Sequence, residues 1–514
     1  MKNKKILSHC SKYIWFIIFV IGAISSFGFA PFHFFPLTIF SYVLLIYFFK
    51  NIKKEKKKIF LYAFLFSLGK HIGLLYWIGI SFQTANSGGY LIGGLAVIIL
   101  SGFLSVFLAL SFYFLFKFNK SYTNIHFGIY FIFIFTIFDW FKGNILWGFP
   151  WTPISTLWTF SNFSLYPFSV FGVWGYCLIT YSLIISFYYI FFSFKKSVFF
   201  LLPFLFSSLV FPNFLSIVEK NIDTISVRIV QPNIKQEDKW NKEKLIQNYE
   251  KLTRLITLPG YDKTDLIILP ETAINFNIDK LNESNHKYDF GLDYIKNIII
   301  GALRTKKKDN EINIFNSLYL IRTQNESTLY HDKLKLVPFG EFIPFRKFLN
   351  LNKLTSGQLD FSKGEEAKYF KFSPRINILP LICYEVIFPE LTSGLNNNYN
   401  LIVNITNDAW YRNSSGPYQH FSHSKIRAVM EGTTLIRAAN TGVSGIISPK
   451  GITISKLSLG KEGIIDYRLN IKKIKTVYSN FRERIFYLIM LTLFILIYFP
   501  FFYNKYKKSK LEKF

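Results

Sequence analysis

Cysteine is scarce in this chain: three residues in 514, at positions 10, 177 and 383. Three thiols build no disulfide framework, and Cys10 and Cys177 fall in or beside hydrophobic segments, where packing is the ordinary role. Acidic residues are also few, 31 against 60 lysines and arginines, which gives a formal net charge of +29. Such an excess suits anionic partners such as nucleic acid or phospholipid headgroups. Lys, Asn, Ile, Phe and Tyr are all abundant and all have AT-rich codons, so coding bias competes and net charge alone implies no nucleic acid. The eight histidines contain no His-Glu-x-x-His pattern, and His420 and His423 read as structural. No glycine-rich phosphate loop, internal repeat or long low-complexity linker is present. Neither a metal nor a cofactor is expected.

Apolar residues are what the chain has in excess: 51% hydrophobic and 19% aromatic. Seven apolar stretches precede residue 220, at 13–30, 36–50, 59–82, 90–116, 127–142, 165–193 and 197–217, and one follows at 484–503. Most reach the length of about 20 residues that spans a hydrocarbon core, the second and fifth being short. Basic residues mark alternate loops: Lys2, Lys4 and Lys5, the run 51–58, Lys117 and Lys120, Lys195 and Lys196, and the tail from Lys505. The loops 31–36 and 83–89 carry none. This is the positive-inside pattern with both termini cytoplasmic, and seven crossings then put 220–482 outside. The first stretch also resembles a signal peptide, and cleavage there leaves the soluble segment on the same side. Lys70 and His71 in the third stretch and Asp139 in the fifth imply a lined cavity, a headgroup contact or a buried Lys70–Asp139 pair. The expected division is a membrane domain 1–218, an extramembrane domain 219–482, and a final span with a basic tail, 483–514.

Residues 220–482 alternate short β-branched runs (226–230, 265–269, 297–300, 377–382 and 400–404) with polar helical stretches at 241–256 and 419–438. Strands interleaved with helices predict an α/β domain around a largely buried sheet. Cys383 ends one such run, in Leu-Ile-Cys-Tyr-Glu, where α/β sheets place their sites. A reactive thiol needs a stabilised thiolate at an exposed turn, and a buried packing cysteine is the competing reading. Glu271 follows Leu-Ile-Ile-Leu-Pro, where desolvation raises a carboxyl toward the range of a general base, unless it is an ordinary strand-end acid or helix cap. Lys333, in His-Asp-Lys-Leu-Lys-Leu-Val-Pro-Phe-Gly-Glu, suits an oxyanion, or else is an exposed strand lysine sharing a face with Lys335. Glu341 is placed to hold Lys333 charged.

Glu271, Lys333 and Cys383 in this order, within Pro-Glu-Thr, Lys-x-x-Leu-Val-Pro-Phe-Gly-Glu and Cys-Tyr-Glu, resemble the nitrilase (carbon–nitrogen hydrolase) superfamily. With many spans before and one after, the whole chain resembles the apolipoprotein N-acyltransferase family. Further matches are 26–32, Trp147-Gly-Phe-Pro-Trp151, Val230-Gln-Pro-Asn233 with Trp240, Asn407-Asp-Ala-Trp410, Gly416-Pro-Tyr-Gln-His420 and Arg437-Ala-Ala-Asn-Thr-Gly442. One departure is Glu431-Gly-Thr-Thr434, which lacks the family's arginine and leaves the packing of that loop open. The resemblance implies a polytopic helical membrane region bearing an αββα nitrilase-like sandwich. It implies a bacterial inner-membrane enzyme with its catalytic domain on the periplasmic side. It further implies that Cys383 accepts an acyl chain from a phospholipid, chiefly phosphatidylethanolamine, and passes it to the N-terminal amine of a diacylglyceryl-cysteine lipoprotein. Trp240, Glu341, Tyr384 and Glu385 are the implied supporting residues. Phe339, Phe342, Phe345 and the 147–151 loop are candidates for keeping water from a thioester. The alternatives are a membrane-anchored amidase or nitrilase, which leaves seven spans without a purpose, and an inactive scaffold.

Overall fold

The computed structural model describes residues 13–53, 55–119, 121–209, 219–274, 295–308, 311–322, 327–348, 353–354, 359–395 and 397–511. Cys10, Lys120 and the end of the predicted 197–217 stretch lie outside them. The chain forms two compact units: 1–76, 96–214 and 481–514 make one, and 77–95 with 215–480 the other.

The first unit is helical, and every predicted apolar stretch contains a helix: Ile14–Ser25, Phe35–Asn51, Lys56–Thr84, Gly89–Phe118, Ile125–Asn144, Phe168–Ile190, Phe194–Leu209 and Arg484–Leu511. Four are long and apolar enough to cross a membrane: Lys56–Thr84, Gly89–Phe118, Ile125–Asn144 and Phe168–Ile190. Ile14–Gly28, Phe35–Asn51 and Arg484–Phe499 are apolar but shorter. The fifth stretch is therefore long enough to span, and the second is short as its sequence implies. The third differs from expectation. Its last residues, from Trp77, and the following loop to Leu95 group with the α/β unit instead of the helical one. The side chains explain this: Trp77 Nε1 donates to Gln419 Oε1 (3.2 Å) and its ring meets Tyr411 edge-on at 4.5 Å.

Asp139 does not pair with Lys70. Its Oδ1 accepts from Lys142 Nζ at 2.6 Å, one helical turn away, and its Oδ2 accepts from Tyr181 (2.8 Å) and the Ile154 amide (3.2 Å). Lys70 instead donates to the Tyr42 hydroxyl at 3.1 Å. A residue three positions along the same helix is within reach without any other element moving, and this local partner prevails.

The second unit is a sandwich of two six-stranded sheets. The strands are β1 (Glu219–Gln231), β2 (Leu266–Ile268), β3 (Asn297–Lys308), β4 (Glu311–Arg322), β5 (Ser327–Asp332), β6 (Phe370–Lys371), β7 (Asn377–Ile382), β8 (Leu401–Thr406), β9 (Thr434–Ala439), β10 (Ser444–Ile447), β11 (Thr453–Leu457) and β12 (Gly463–Ile474). One sheet runs β12-β1-β2-β3-β4-β5 and the other β11-β10-β9-β8-β7-β6. Each has a parallel centre, β1-β2-β3 and β7-β8-β9, with antiparallel flanks. Central strands β2, β8 and β9 are buried along their whole length, as parallel strands covered on both faces must be. β1 lies against β9 and β10, and β4 against β7, so the sheets face each other. Helix Leu245–Ile256 covers the first sheet with Leu252, Leu255 and Ile256, and helix Ser415–Glu431 covers the second. This is the αββα architecture.

The predicted helix 419–438 stops at Glu431. Gly432 adopts φ +57° as a left-handed C-cap, and a Cβ there would meet the Ile474 carbonyl oxygen at 2.1 Å. The chain then reverses into β9. The Glu431–Thr434 loop is well packed without the family's arginine: Glu431 Oε1 accepts from Thr392 (2.8 Å) and Arg427 (3.3 Å).

Candidate active site

Strand ends deliver the chemistry. β2 ends at Ile268 and the chain turns through Pro270-Glu271-Thr272; β7 ends at Ile382 and Cys383 follows; β5 ends at Asp332 and Lys333 follows. Each therefore sits at a strand's C-terminal edge. Gly301 on β3 makes room for the Glu271 turn, since a Cβ there would come within 2.7 Å of Glu271 Cα and 2.4 Å of the Thr272 amide. Cys383 has φ +52°, a left-handed conformation that a non-glycine residue holds only when its surroundings impose it.

The three residues meet in one buried cluster. Lys333 Nζ lies 3.2 Å from Glu271 Oε1 and 2.8 Å from Glu341 Oε1. Asn316 Nδ2, on β4, bridges the same two oxygens at 2.7 and 3.1 Å. Glu271 Oε2 accepts the Asn407 amide at 2.8 Å, and Glu341 Oε2 the Val337 amide at 2.8 Å. Glu341 therefore does fix Lys333, as expected. Lys333 is 1% exposed, so the surface-lysine reading fails, and it does not act with Lys335, which pairs with Glu390 at 2.8 Å.

Electrostatics corrects one expectation. Burial does raise the proton affinity of Glu271, but Lys333, Asn316, Lys239 and the Cys383 thiol together outweigh it and hold the carboxyl below its usual range. Burial lowers Lys333 and the two carboxylates more than restore it, so it stays protonated. Burial, then Glu271, push the Cys383 thiol up, with Lys333 opposing. Cys383 is only 7% exposed, more enclosed than an open turn implies. The resting pair is thus an ionised carboxylate beside a protonated thiol.

The supporting residues divide. Glu385 is wholly buried; it accepts the Ile382 amide (2.7 Å) and the Leu334 amide (2.5 Å), tying the turn that carries Cys383 to the segment that carries Lys333. Tyr384 is buried, edge-on to Phe388 at 4.7 Å. Trp240 is half-buried and follows the short helical turn Gln236–Lys239. Phe339 and Phe345 are 44% and 59% exposed, both at positive φ.

Asn316 and Lys239 escaped the reading of the sequence, and Asn316 shares its strand with Asn313, so nothing singled it out. Lys239 Nζ donates to the Glu271 carbonyl oxygen (3.0 Å) and to Thr272 Oγ1 (2.6 Å). His420 proves structural in a specific way: its Nε2 reaches the Cys383 carbonyl oxygen at 3.1 Å, while Nδ1 faces Asp408 Oδ1 and Arg437 Nη2, each at 2.9 Å. Burial and then Arg437 depress its proton affinity, with Asp408 and the Cys383 carbonyl opposing. No group of three or more potential metal-binding side chains occurs among the described residues.

A thiol, a carboxylate and an ammonium at the strand ends of an αββα sandwich, on a chain that also carries membrane-length helices, define a membrane-attached member of the carbon–nitrogen hydrolase class. The family described as carbon–nitrogen hydrolase matches residues 226–478, and the apolipoprotein N-acyltransferase N-terminal domain matches 21–185. An apolipoprotein N-acyltransferase of Rickettsia prowazekii is 32% identical over 487 residues, covering 90% of this chain and 94% of the relative. One of Rhodopseudomonas palustris is 29% identical over 503 residues, covering 91% of each. Among solved structures, Saccharomyces cerevisiae Nit3, a nitrilase-superfamily member, aligns with 48% of this chain and 90% of its own at TM-score 0.36 and 18% identity. The chain belongs to the apolipoprotein N-acyltransferase family, and it is an N-acyltransferase of the membrane.

Proposed function

We propose that this enzyme moves an acyl chain from a phospholipid, with phosphatidylethanolamine as the main donor, to the α-amino group of a lipoprotein's N-terminal diacylglyceryl cysteine. The reading places it in the bacterial inner membrane with residues 219–482 on the periplasmic side. The observation that carries the reading is the buried Glu271–Lys333–Glu341 cluster beside the Cys383 thiol.

In the first half-reaction the Cys383 sulfur attacks the ester carbonyl carbon while its proton passes to Glu271, the ionised base. Lys333 faces the developing oxyanion, helped by the backbone amide that follows Cys383. The carbon–oxygen bond breaks, the lysophospholipid oxygen takes the proton from Glu271, and a thioester remains on the sulfur. In the second, the amine attacks the thioester. An α-amino group titrates near 7.7–8.0, so a sizeable fraction is already neutral at pH 7, and Glu271 accepts the proton it sheds on attack. The thiol departs as the amide forms.

Glu341 serves here to hold Lys333 charged and aimed, and Glu385 to lock the two segments together. Tyr384 and Trp240 line or border the acyl path. Water competes for the thioester, and the small exposure of Cys383 works against it. The exposed Phe339 and Phe345 are the suggested cover, together with Phe342.

The test incubates the full-length protein with phosphatidylethanolamine vesicles and seeks a hydroxylamine-labile acyl group on Cys383. A diacylated peptide with a free amine should then discharge it as a triacylated product. Brisk hydrolysis of soluble amides with no acyl group on Cys383 overturns the reading.

A further inference from the structure

The cluster contains one more cation than the chemistry above uses. Lys239 is 7% exposed, and no carboxylate lies within ion-pair distance of its Nζ among the described residues. The acids of its own short helical turn are directed elsewhere: Asp238 to Lys244 at 2.6 Å and Glu237 to Arg412 at 3.4 Å. A buried ammonium without a carboxylate partner is costly, and a fold retains one where a distributed negative charge offsets it. The negative charge is at hand. Glu271 and Glu341 share only one ammonium, that of Lys333, so those three groups carry one net negative charge. Lys239, bonded to the main chain of Glu271 itself, brings the four to neutrality. The groups that face it electrostatically are Glu271 and Cys383.

We propose that Lys239 is a positioning residue for acyl transfer: it pins the Pro270-Glu271-Thr272 turn through the Glu271 carbonyl and the Thr272 hydroxyl, and its charge keeps Glu271 ionised as the base for Cys383. Thr272 sits at φ +44°, so the turn it belongs to needs such an anchor. The sign follows from electrostatics. Removing the Lys239 charge leaves two carboxylates competing for one ammonium, which raises the proton affinity of Glu271, so that acid protonates and disables the base already at a higher pH than in the parent. Burial itself lowers Lys239 to about 8, so its charge is lost in mildly alkaline solution.

This inference rests on Glu271 acting as the base toward Cys383, but not on the identity of the acyl donor. The test exploits that. Alkylation of Cys383 by iodoacetamide in the full-length protein, followed by mass spectrometry across pH 3–8, reads the thiol–carboxylate pair without any lipid. The Lys239→Met variant should show its acidic inflection about one pH unit above that of the parent, and Lys239→Arg should restore it. The same shift should appear in acylation by phosphatidylethanolamine vesicles. An unshifted profile in a Lys239→Met protein of parental melting temperature overturns the proposal, as does an Arg variant as impaired as the Met variant at unchanged inflection. If Lys239→Met unfolds, Lys239→Gln, which keeps the tether and removes the charge, must shift the inflection in the same direction. A shifted alkylation profile with no acyl group from phospholipid would uphold Lys239 and reject the donor.

Discussion

Two of the buried clusters of charge, one from each compact unit, are built differently. In the helical unit Asp139 and Lys142 are one turn apart on a single helix, and all three contacts to the carboxylate come from fixed protein groups. In the α/β unit Glu271, Lys333, Glu341 and Asn316 come from separate segments after or within β2, β5 and β4, and two carboxylates share one ammonium beside a thiol. A locally closed, fully satisfied pair serves the fold. A cluster drawn from distant segments, with charge left to spend on a neighbouring thiol, is suited to moving protons.

That contrast fails if the two clusters respond alike to mutation, and the largest expected effect lies in the second. Cys383→Ser, which replaces the sulfur by oxygen, should abolish the acyl-enzyme and reduce product by at least about 1,000-fold at unchanged melting temperature. Triacylated peptide at parental rate would refute the nucleophile. Lys333→Met should lower acylation by about 100- to 1,000-fold, the usual loss for an oxyanion donor, with little change in the apparent KM for phospholipid. Glu341→Gln acts only through Lys333 and should cost about 10- to 100-fold in single-turnover acylation.

The helical cluster should show the opposite profile. Asp139→Asn leaves Lys142 buried without its carboxylate, a loss of about 3 kcal/mol in thermal or denaturant unfolding. The turnover of the folded fraction should stay near parental. The Asp139→Asn, Lys142→Met double variant should recover part of that stability. Altered turnover per folded molecule would break the division between the clusters.

The smallest effect is a pH dependence. Burial raises the Asp408 carboxyl, but Arg437 and then His420 outweigh it and hold it down at about 2. A depressed carboxyl stabilises the fold above its ordinary value near 4, and that contribution fades as pH falls toward 2. The shift corresponds to about 2 kcal/mol. Asp408→Asn should flatten acid unfolding of the parent in this window, as followed by tryptophan fluorescence.

The strands that could be read from the chain were β2, β7 and β8, with parts of β1 and β3: continuous β-branched runs, as strands covered on both faces require. β11 and β12 were invisible because they alternate half-buried with exposed positions and carry many polar residues. β9 was absorbed into the preceding helix because Thr434-Leu-Ile-Arg-Ala-Ala439 has no punctuation except Gly432. Glu271, Lys333 and Cys383 were legible through their place after apolar runs and through family motifs. Asn316 and Lys239 were not, since each acts through a contact with a residue at least 32 positions away.

Composition and periodicity were enough to mark eight apolar stretches and an α/β insert between the seventh and the last, because hydrophobic length is a local property of the chain; the three candidate reactive side chains took the family motifs as well. Folding in three dimensions decided that Asp139 bonds Lys142 and not Lys70, that the end of the third apolar stretch belongs to the α/β unit, and that the Glu271 carboxyl is held below its usual range instead of raised above it. These depend on which charges are brought within a few ångströms in a medium without water. No stretch of sequence carries that information alone.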